Sequence, residues 1–183
     1  KYGTTNGSYT STSAPKITNV AESKTIYYQV EHANYNTKTG SFKCTITKAN
    51  MNVTATADSK TYNGSALTCD GNLSGVPSSG STIKYGLSEG SYTLNSAPTI
   101  TNVADSDTIY YQVTNPNYND ATGSFTCTIN RATITDTPAD NTKTYDGTAL
   151  TCDGSLSTRM PSGSTIKYGT TNGSYTSTSA PKI

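Results

Sequence analysis

The seventeen residues Lys1–Ile17 (KYGTTNGSYTSTSAPKI) return letter for letter as Lys167–Ile183. An identity of that length does not arise by chance, and one compact domain has no use for its opening segment twice. Repetition therefore governs what this chain can fold into. The triplet KYG stands at Lys1, Lys84 and Lys167, a step of 83 residues each time. Thr61–Asp70 (TYNGSALTCD) returns as Thr144–Asp153 (TYDGTALTCD), Thr25–Val30 (TIYYQV) as Thr108–Val113, and Gly40–Ile46 (GSFKCTI) as Gly123–Ile129 (GSFTCTI), all at the same step.

The repeat boundary falls after the basic residue that closes the GSF-x-CTI run. Residues 49–131 then form one complete repeat, 1–48 the closing part of a preceding one, and 132–183 the opening part of a following one. The two kinds differ, Asp105-Ser-Asp107 standing against Glu22-Ser-Lys24 and Gly75-Val-Pro77 against Thr158-Arg-Met160, so the larger period is a pair of repeats. The overlap of the two ends is what a cut through a longer array produces, and continuation of both ends is the expectation. True termini would instead leave open strand edges that invite completion by a neighbouring chain.

Only 14% of the residues are charged and 32% are hydrophobic, yet 14 tyrosines and many Thr, Ile and Val set the chain apart from disordered sequences and point to folded β-structure. A net charge of +1 with scattered basic residues gives nucleic acid or an anionic membrane no reason to bind. No apolar run approaches the roughly 18 residues that span a bilayer, so no membrane insertion is expected in this segment.

Each repeat carries two cysteines, Cys69 and Cys127 in the complete one, with Cys152 and Cys44 as their counterparts. There is no CxxC pair and no histidine at ligand spacing, so no metal and no cofactor is expected, and disulfides are the default. Pairing within a repeat joins Cys69 to Cys127 and leaves Cys44 and Cys152 each to pair with the missing part of its own repeat, in the continuing or a neighbouring chain. Pairing across the boundary would join Cys44 to Cys69 and Cys127 to Cys152. The first is favoured, because Cys127 alternates in phase with Phe125 and Ile129, and Cys69 with Leu67, so both sulfurs point inward. Disulfides imply an oxidising, extracellular or cell-surface location.

Within the complete repeat, Met51, Val53, Ala55 and Ala57 alternate with polar residues and predict a first half-buried strand. Asn63-Gly64 and Asp70-Gly71 predict tight turns. Ser74–Ser81 reads as loop, Thr82–Tyr85 as a strand with Ser91–Leu94 as its hairpin partner, and Thr99–Val103 as a short strand before a turn at Ala104–Asp107. Thr108–Thr114 places Ile109, Tyr111 and Val113 inward, and Ser124–Asn130 closes the repeat beside it. No 3.6-residue period is sustained, so essentially no helix is expected. About seven short strands with one inward disulfide predict an all-β, antiparallel, immunoglobulin-like β-sandwich in tandem, although no tryptophan is present to pack on the disulfide.

Lys60-Thr-Tyr-Asn-Gly64, Lys143-Thr-Tyr-Asp-Gly147, Tyr110-Tyr-Gln-Val113, Asn117-Tyr-Asn119 and the Gly123-Ser124 strand resemble the Tyr-Asp-Gly and "mostly beta" (MBG-like) repeat modules of large bacterial surface proteins. That resemblance covers every repeat and implies an extracellular stalk or filament. The cysteines depart from most such modules.

Nothing in the sequence composes an active site, and no enzyme is expected. His32 falls in a loop before Asn34-Tyr35-Asn36 and is Asn115 in the complete repeat. Asp105 and Asp107 could hold a hard cation, but Glu22 and Lys24 replace them. No Gly-x-Ser-x-Gly elbow accompanies the many serines. The tyrosines Tyr110 and Tyr28, read as outward, suit packing on a neighbouring repeat better than stacking on sugar. The expected role is a structural segment of an extracellular fibre, filament or surface stalk whose partners are neighbouring copies of the same repeat. The alternative is an adhesin module that binds a glycan or host-surface protein through repeat-edge loops.

Overall fold

The computed structural model describes all residues from Lys1 to Ile183, in two bodies, Lys1–Arg131 and Ala132–Ile183. The first is built mainly from strands, and the second from turns, extended chain and isolated bridges.

In the first body, β1 (Tyr2–Gly3), β2 (Lys24–His32) and β3 (Tyr35–Cys44) form an antiparallel sheet in that order. The complete repeat contributes β4 (Asp58–Thr61), β5 (Leu67–Thr68), β6 (Thr82–Gly86), β7 (Thr99–Ile100), β8 (Asp107–Asn115) and β9 (Tyr118–Asn130). Four of these make a sheet of order β4-β9-β8-β6, in which β4 runs parallel to β9 and the other pairs are antiparallel; β5 and β7 pair separately. The repeat step recurs in the register. Lys24 faces Cys44 across β2 and β3, as Asp107 faces Cys127 across β8 and β9. The Ser23 hydroxyl accepts the Ile46 N–H at 3.0 Å, as the Ser106 hydroxyl accepts that of Ile129 at 2.9 Å.

The core lies where alternation predicts it. Ile109, Tyr111 and Val113 of β8 and Phe125, Cys127 and Ile129 of β9 are buried with Cys69, Tyr85 and Ile100, and Met51, Val53 and Leu67 pack against them. Asp58 is buried beside this cluster, and its carboxylate accepts the Gly71 N–H at 2.7 Å and the Asn72 amide at 3.0 Å. A buried carboxylate needs such donors, and here they tie β4 to the turn that follows Cys69.

Several expectations are corrected. Residues 51–57 alternate in burial as far as Ala55 but are not a ladder strand. Their backbone is held only by bonds from Thr54 to Ser74 and from Thr56 to Gly71, Ala57 is exposed, and pairing starts at Asp58 on the other phase. Thr99–Val103 is a strand for two residues only. From Val103 to Asp105 the chain makes a 3-10 turn, as it does at Val20–Glu22. Tyr28 faces the inward row, its ring lying over Gly40, because it occupies the position of Tyr111. His32 ends β2, paired with Tyr35, and its ring packs on that tyrosine with centroids 5.1 Å apart.

The second body, Ala132–Ile183, holds a one-turn helix α1 (Leu156–Arg159) and short antiparallel contacts. Leu150 and Ile183 exchange backbone hydrogen bonds at 2.8 and 3.1 Å, and the Cys152 N–H donates to Pro181 at 2.8 Å. These are the counterparts of the Leu67–Ile100 pair and of the Cys69 N–H bond to Pro98.

Candidate functional site

Three features do physical work: a turn cap that recurs with the sequence, a covalent tie and a junction.

The turn cap explains the Lys-Thr-Tyr-Asn/Asp-Gly motif. Lys60 Nζ folds over the Asn63-Gly64 turn and donates to Asn63 Oδ1 at 3.0 Å, to the Ser65 hydroxyl at 2.8 Å, and to the carbonyls of Ser65 and Ala66. Asn63 Oδ1 also accepts the Ser65 N–H at 3.1 Å, closing an Asx turn. Lys143 repeats this with Asp146 at 2.6 Å and the Thr148 hydroxyl at 2.5 Å. The Lys143 ammonium, then the Thr148 N–H, hold the Asp146 carboxyl below its ordinary value.

The covalent tie is the Cys69–Cys127 disulfide, whose Cα atoms are 5.6 Å apart. It links the residue after β5 in the two-stranded sheet to the C-terminal third of β9 in the four-stranded one, across the buried cluster. Cys44 and Cys152 are half-buried free thiols.

The junction lies between residues 1–48 and the complete repeat, and no linker separates them. Ala49 follows Lys48 and pairs at once with the start of β9, its N–H donating to Asn117 O at 3.1 Å while it accepts the Asn119 N–H at 2.8 Å. Two side chains from the β8–β9 tip complete it. Asn117 Oδ1 accepts the Val20 N–H at 2.9 Å, and Asn117 Nδ2 donates to Asn19 Oδ1 at 2.9 Å, while Asn119 Nδ2 reaches Asn50 Oδ1 at 2.8 Å. Behind them Asn115 is buried and donates to Ser79 O at 2.8 Å and to the Ser81 hydroxyl at 3.0 Å. In sequence, Asn117 and Asn119 stand out only within the Asn117-Tyr-Asn119 motif shared with the surface modules. The signal available was a cluster of amides at a hairpin tip beside a repeat boundary.

The acidic residues considered for a cation do other work. Asp105 closes its own 3-10 turn: its carboxylate accepts the Asn102 N–H at 2.8 Å and the Thr101 N–H at 3.2 Å, which hold its carboxyl below the ordinary value. Glu22 does the same through Thr18 and Asn19. Asp107 accepts the Thr108 N–H at 2.7 Å. No three His, Cys, Asp or Glu side chains converge as metal ligands would. A shallow groove of about 330 Å³ runs along Lys48, Gly80, Thr82, Asn115 and Asp120. It contains an amide already committed to hydrogen bonds, and no nucleophile with a base beside it.

No model of a known protein family matches the chain, and a search of curated proteins likewise returns no match.

Proposed function

We propose that the chain is a structural segment of an extracellular fibre or surface stalk, made of tandem immunoglobulin-like β-sandwich repeats that each carry one disulfide. The observation that carries this reading is the junction: a repeat boundary without a linker, taken directly into strand pairing and held by Asn117 and Asn119. Domains meant to move independently are joined by exposed flexible linkers, so a bonded boundary suits a load-bearing array.

The strand arrangement suits tension. Force enters the complete repeat at Ala49 and leaves at Arg131. Asp58 lies beside Cys127 and Thr61 beside Asn130 in parallel register, so pulling the ends apart slides β4 along β9 and loads their hydrogen bonds together. Once β4 gives way, tension reaches Cys69 and crosses the disulfide to Cys127, and the intervening loop stays closed. The disulfide also accords with an extracellular site, as does the resemblance to Tyr-Asp-Gly surface modules.

Immunogold labelling of intact source cells with antibodies to the chain tests the reading. Label along external fibres is the expected result, and label confined to the cell interior would overturn it. Specific binding of the chain on a glycan array would instead favour the adhesin alternative.

A further inference from the structure

Asn-Gly occurs three times, at the exposed turns Asn6-Gly7, Asn63-Gly64 and Asn172-Gly173, and each glycine has open space where a Cβ would stand. With no side chain in the way, the glycine nitrogen can attack the side-chain carbon of the asparagine before it. What separates the three is the surroundings of the carboxamide oxygen. Asn63 Oδ1 accepts the Lys60 ammonium at 3.0 Å, the Ser65 N–H at 3.1 Å and the Ser65 hydroxyl at 2.7 Å. An ammonium and a peptide N–H only donate, so the atom on which they converge is the carbonyl oxygen. In the other two turns the equivalent N–H goes to backbone, from Ser8 to the Thr5 carbonyl at 3.1 Å and from Ser174 to the Thr171 carbonyl at 3.0 Å. Asn172 Oδ1 accepts the neutral Tyr175 hydroxyl at 2.9 Å.

One repeat step on, the same three kinds of donor surround a full negative charge. Asp146 Oδ1 accepts Lys143 Nζ at 2.6 Å, the Thr148 N–H at 2.9 Å and the Thr148 hydroxyl at 2.8 Å, and its carboxyl is held below the ordinary value by Lys143 and then by Thr148. The cradle therefore favours an anionic oxygen over a neutral one. Around an amide it favours the tetrahedral intermediate, in which that oxygen carries the charge, over the ground state. The Asx turn supplies orientation. The ring closed by Asn63 Oδ1 and the Ser65 N–H contains the Gly64 nitrogen, so the carboxamide is folded back over the atom that attacks it.

We propose that Asn63 is a self-deamidation site, with Lys60 and Ser65 as its oxyanion cradle, and that its product is an aspartate like the one at residue 146. Gly64 N gives its proton to hydroxide, and its electron pair forms the bond to Asn63 Cγ, leaving the negative charge on Oδ1. Collapse restores the carbonyl and breaks the Cγ–Nδ2 bond. That nitrogen leaves as ammonia with a proton from water, which regenerates hydroxide, and a succinimide remains. Water then adds at Cγ, where the same donors polarise the ring carbonyl, and the bond from Cγ to Gly64 N breaks as that nitrogen regains its proton. One water enters and one ammonia leaves, nothing is oxidised, and the linkage is a normal aspartyl one rather than isoaspartyl. Lys60 does not attack in place of Gly64. It meets only acceptors, in Asn63, the Ser65 hydroxyl and the Ser65 and Ala66 carbonyls, so its hydrogens rather than an electron pair face the carboxamide.

The test incubates the full chain at mildly alkaline pH and follows deamidation by peptide mass mapping, with a protease that cleaves before aspartate but not before isoaspartate. Asn6 and Asn172 lie in identical segments and are read together. Asn63 should convert about tenfold faster than that pair, mainly to aspartate. In urea, where the cradle is lost, the rates should converge. Lys60→Met should slow Asn63 to the rate of the pair, and Lys60→Arg, which keeps the charge, should retain most of the difference. The sign separates this role from bracing alone: if Lys60 only stiffened the turn, its loss would free the chain and speed conversion. Asn63 converting no faster than Asn6 and Asn172, an unchanged or raised rate in Lys60→Met, isoaspartate as the main product, or loss of ammonia with a Lys60–Asn63 cross-link would each overturn the proposal.

Discussion

At the scale of single residues, the KYG landmark has a steric cause. A Cβ on Gly86 would lie 1.8 Å from the Ser91 carbonyl oxygen, and Gly3 and Gly169 meet Ser8 and Ser174 at 1.7 Å in the same way. The hairpin after KYG closes only if that position has no side chain. Gly86→Ala should therefore destabilise the complete repeat by about 3 kcal/mol, since backbone must move to admit the methyl group. Urea unfolding checks this, and a change within about 0.5 kcal/mol would contradict it. Gly123 lies opposite Tyr111, whose buried ring covers it, with the Tyr oxygen 2.5 Å from a built Cβ. Here a side chain rather than backbone has to shift, so Gly123→Ala should cost less, about 1–2 kcal/mol.

Charge at the residue scale contributes to the response to acid. The Asn102 and Thr101 N–H groups hold the Asp105 carboxyl below its ordinary 3.8, so its stabilising contribution is whole above that value and is lost as pH falls through the lower, folded-state pKa. Asp146, held down by Lys143, and Glu22, held down by Thr18 and Asn19, act in the same sense. Stability measured from pH 5 downward, over roughly the carboxylate range, should fall for the wild type and fall less steeply for Asp105→Asn, whose amide does not titrate there. Equal slopes would contradict the assignment.

At the scale of elements, the cysteine phase and the alternation along β8 and β9 were legible because period-2 burial is local: each side chain's face follows from its neighbours in sequence. What alternation could not give was the pairing partner. Met51–Ala57 shows the pattern of a strand but finds only isolated partners, and the parallel ladder from Asp58 to Thr61 along β9 depends on residues some seventy positions away. The turn near Ala104–Asp107 is legible in sequence, but its 3-10 form over Val103–Asp105 is not, since the Asp105 carboxylate that closes it reads equally well as a cation ligand; Glu22 closes the turn at Val20–Glu22 in the same way. The His32 position was misplaced because its exposed ring looks like a loop residue, whereas the backbone of β2 carries it to the hairpin end. Two predictions belong here. Reducing Cys69–Cys127, or replacing both cysteines by alanine, should lower stability by about 4 kcal/mol for a loop of 58 residues. Asn117→Ala should leave the unfolding of residues 49–131 nearly unchanged and loosen the junction, seen as faster hydrogen exchange at the Val20 N–H. Unaltered exchange there would show that Asn117 does not hold the boundary.

At the scale of the whole molecule, the 83-residue step underlies the proposed mechanical role. The registers of β2–β3 and β8–β9 coincide, so whatever resists force in the complete repeat should recur along an array. The most direct measurement is single-molecule force extension of the chain, oxidised and then reduced. With the disulfide intact, only the residues outside the 58-residue loop can lengthen, so each event should release about 90 Å of chain; after reduction the whole repeat extends and releases about 300 Å. A force peak with that change in length is expected. Extension without a peak, or the same length in both states, would contradict a load-bearing repeat clamped by Cys69–Cys127.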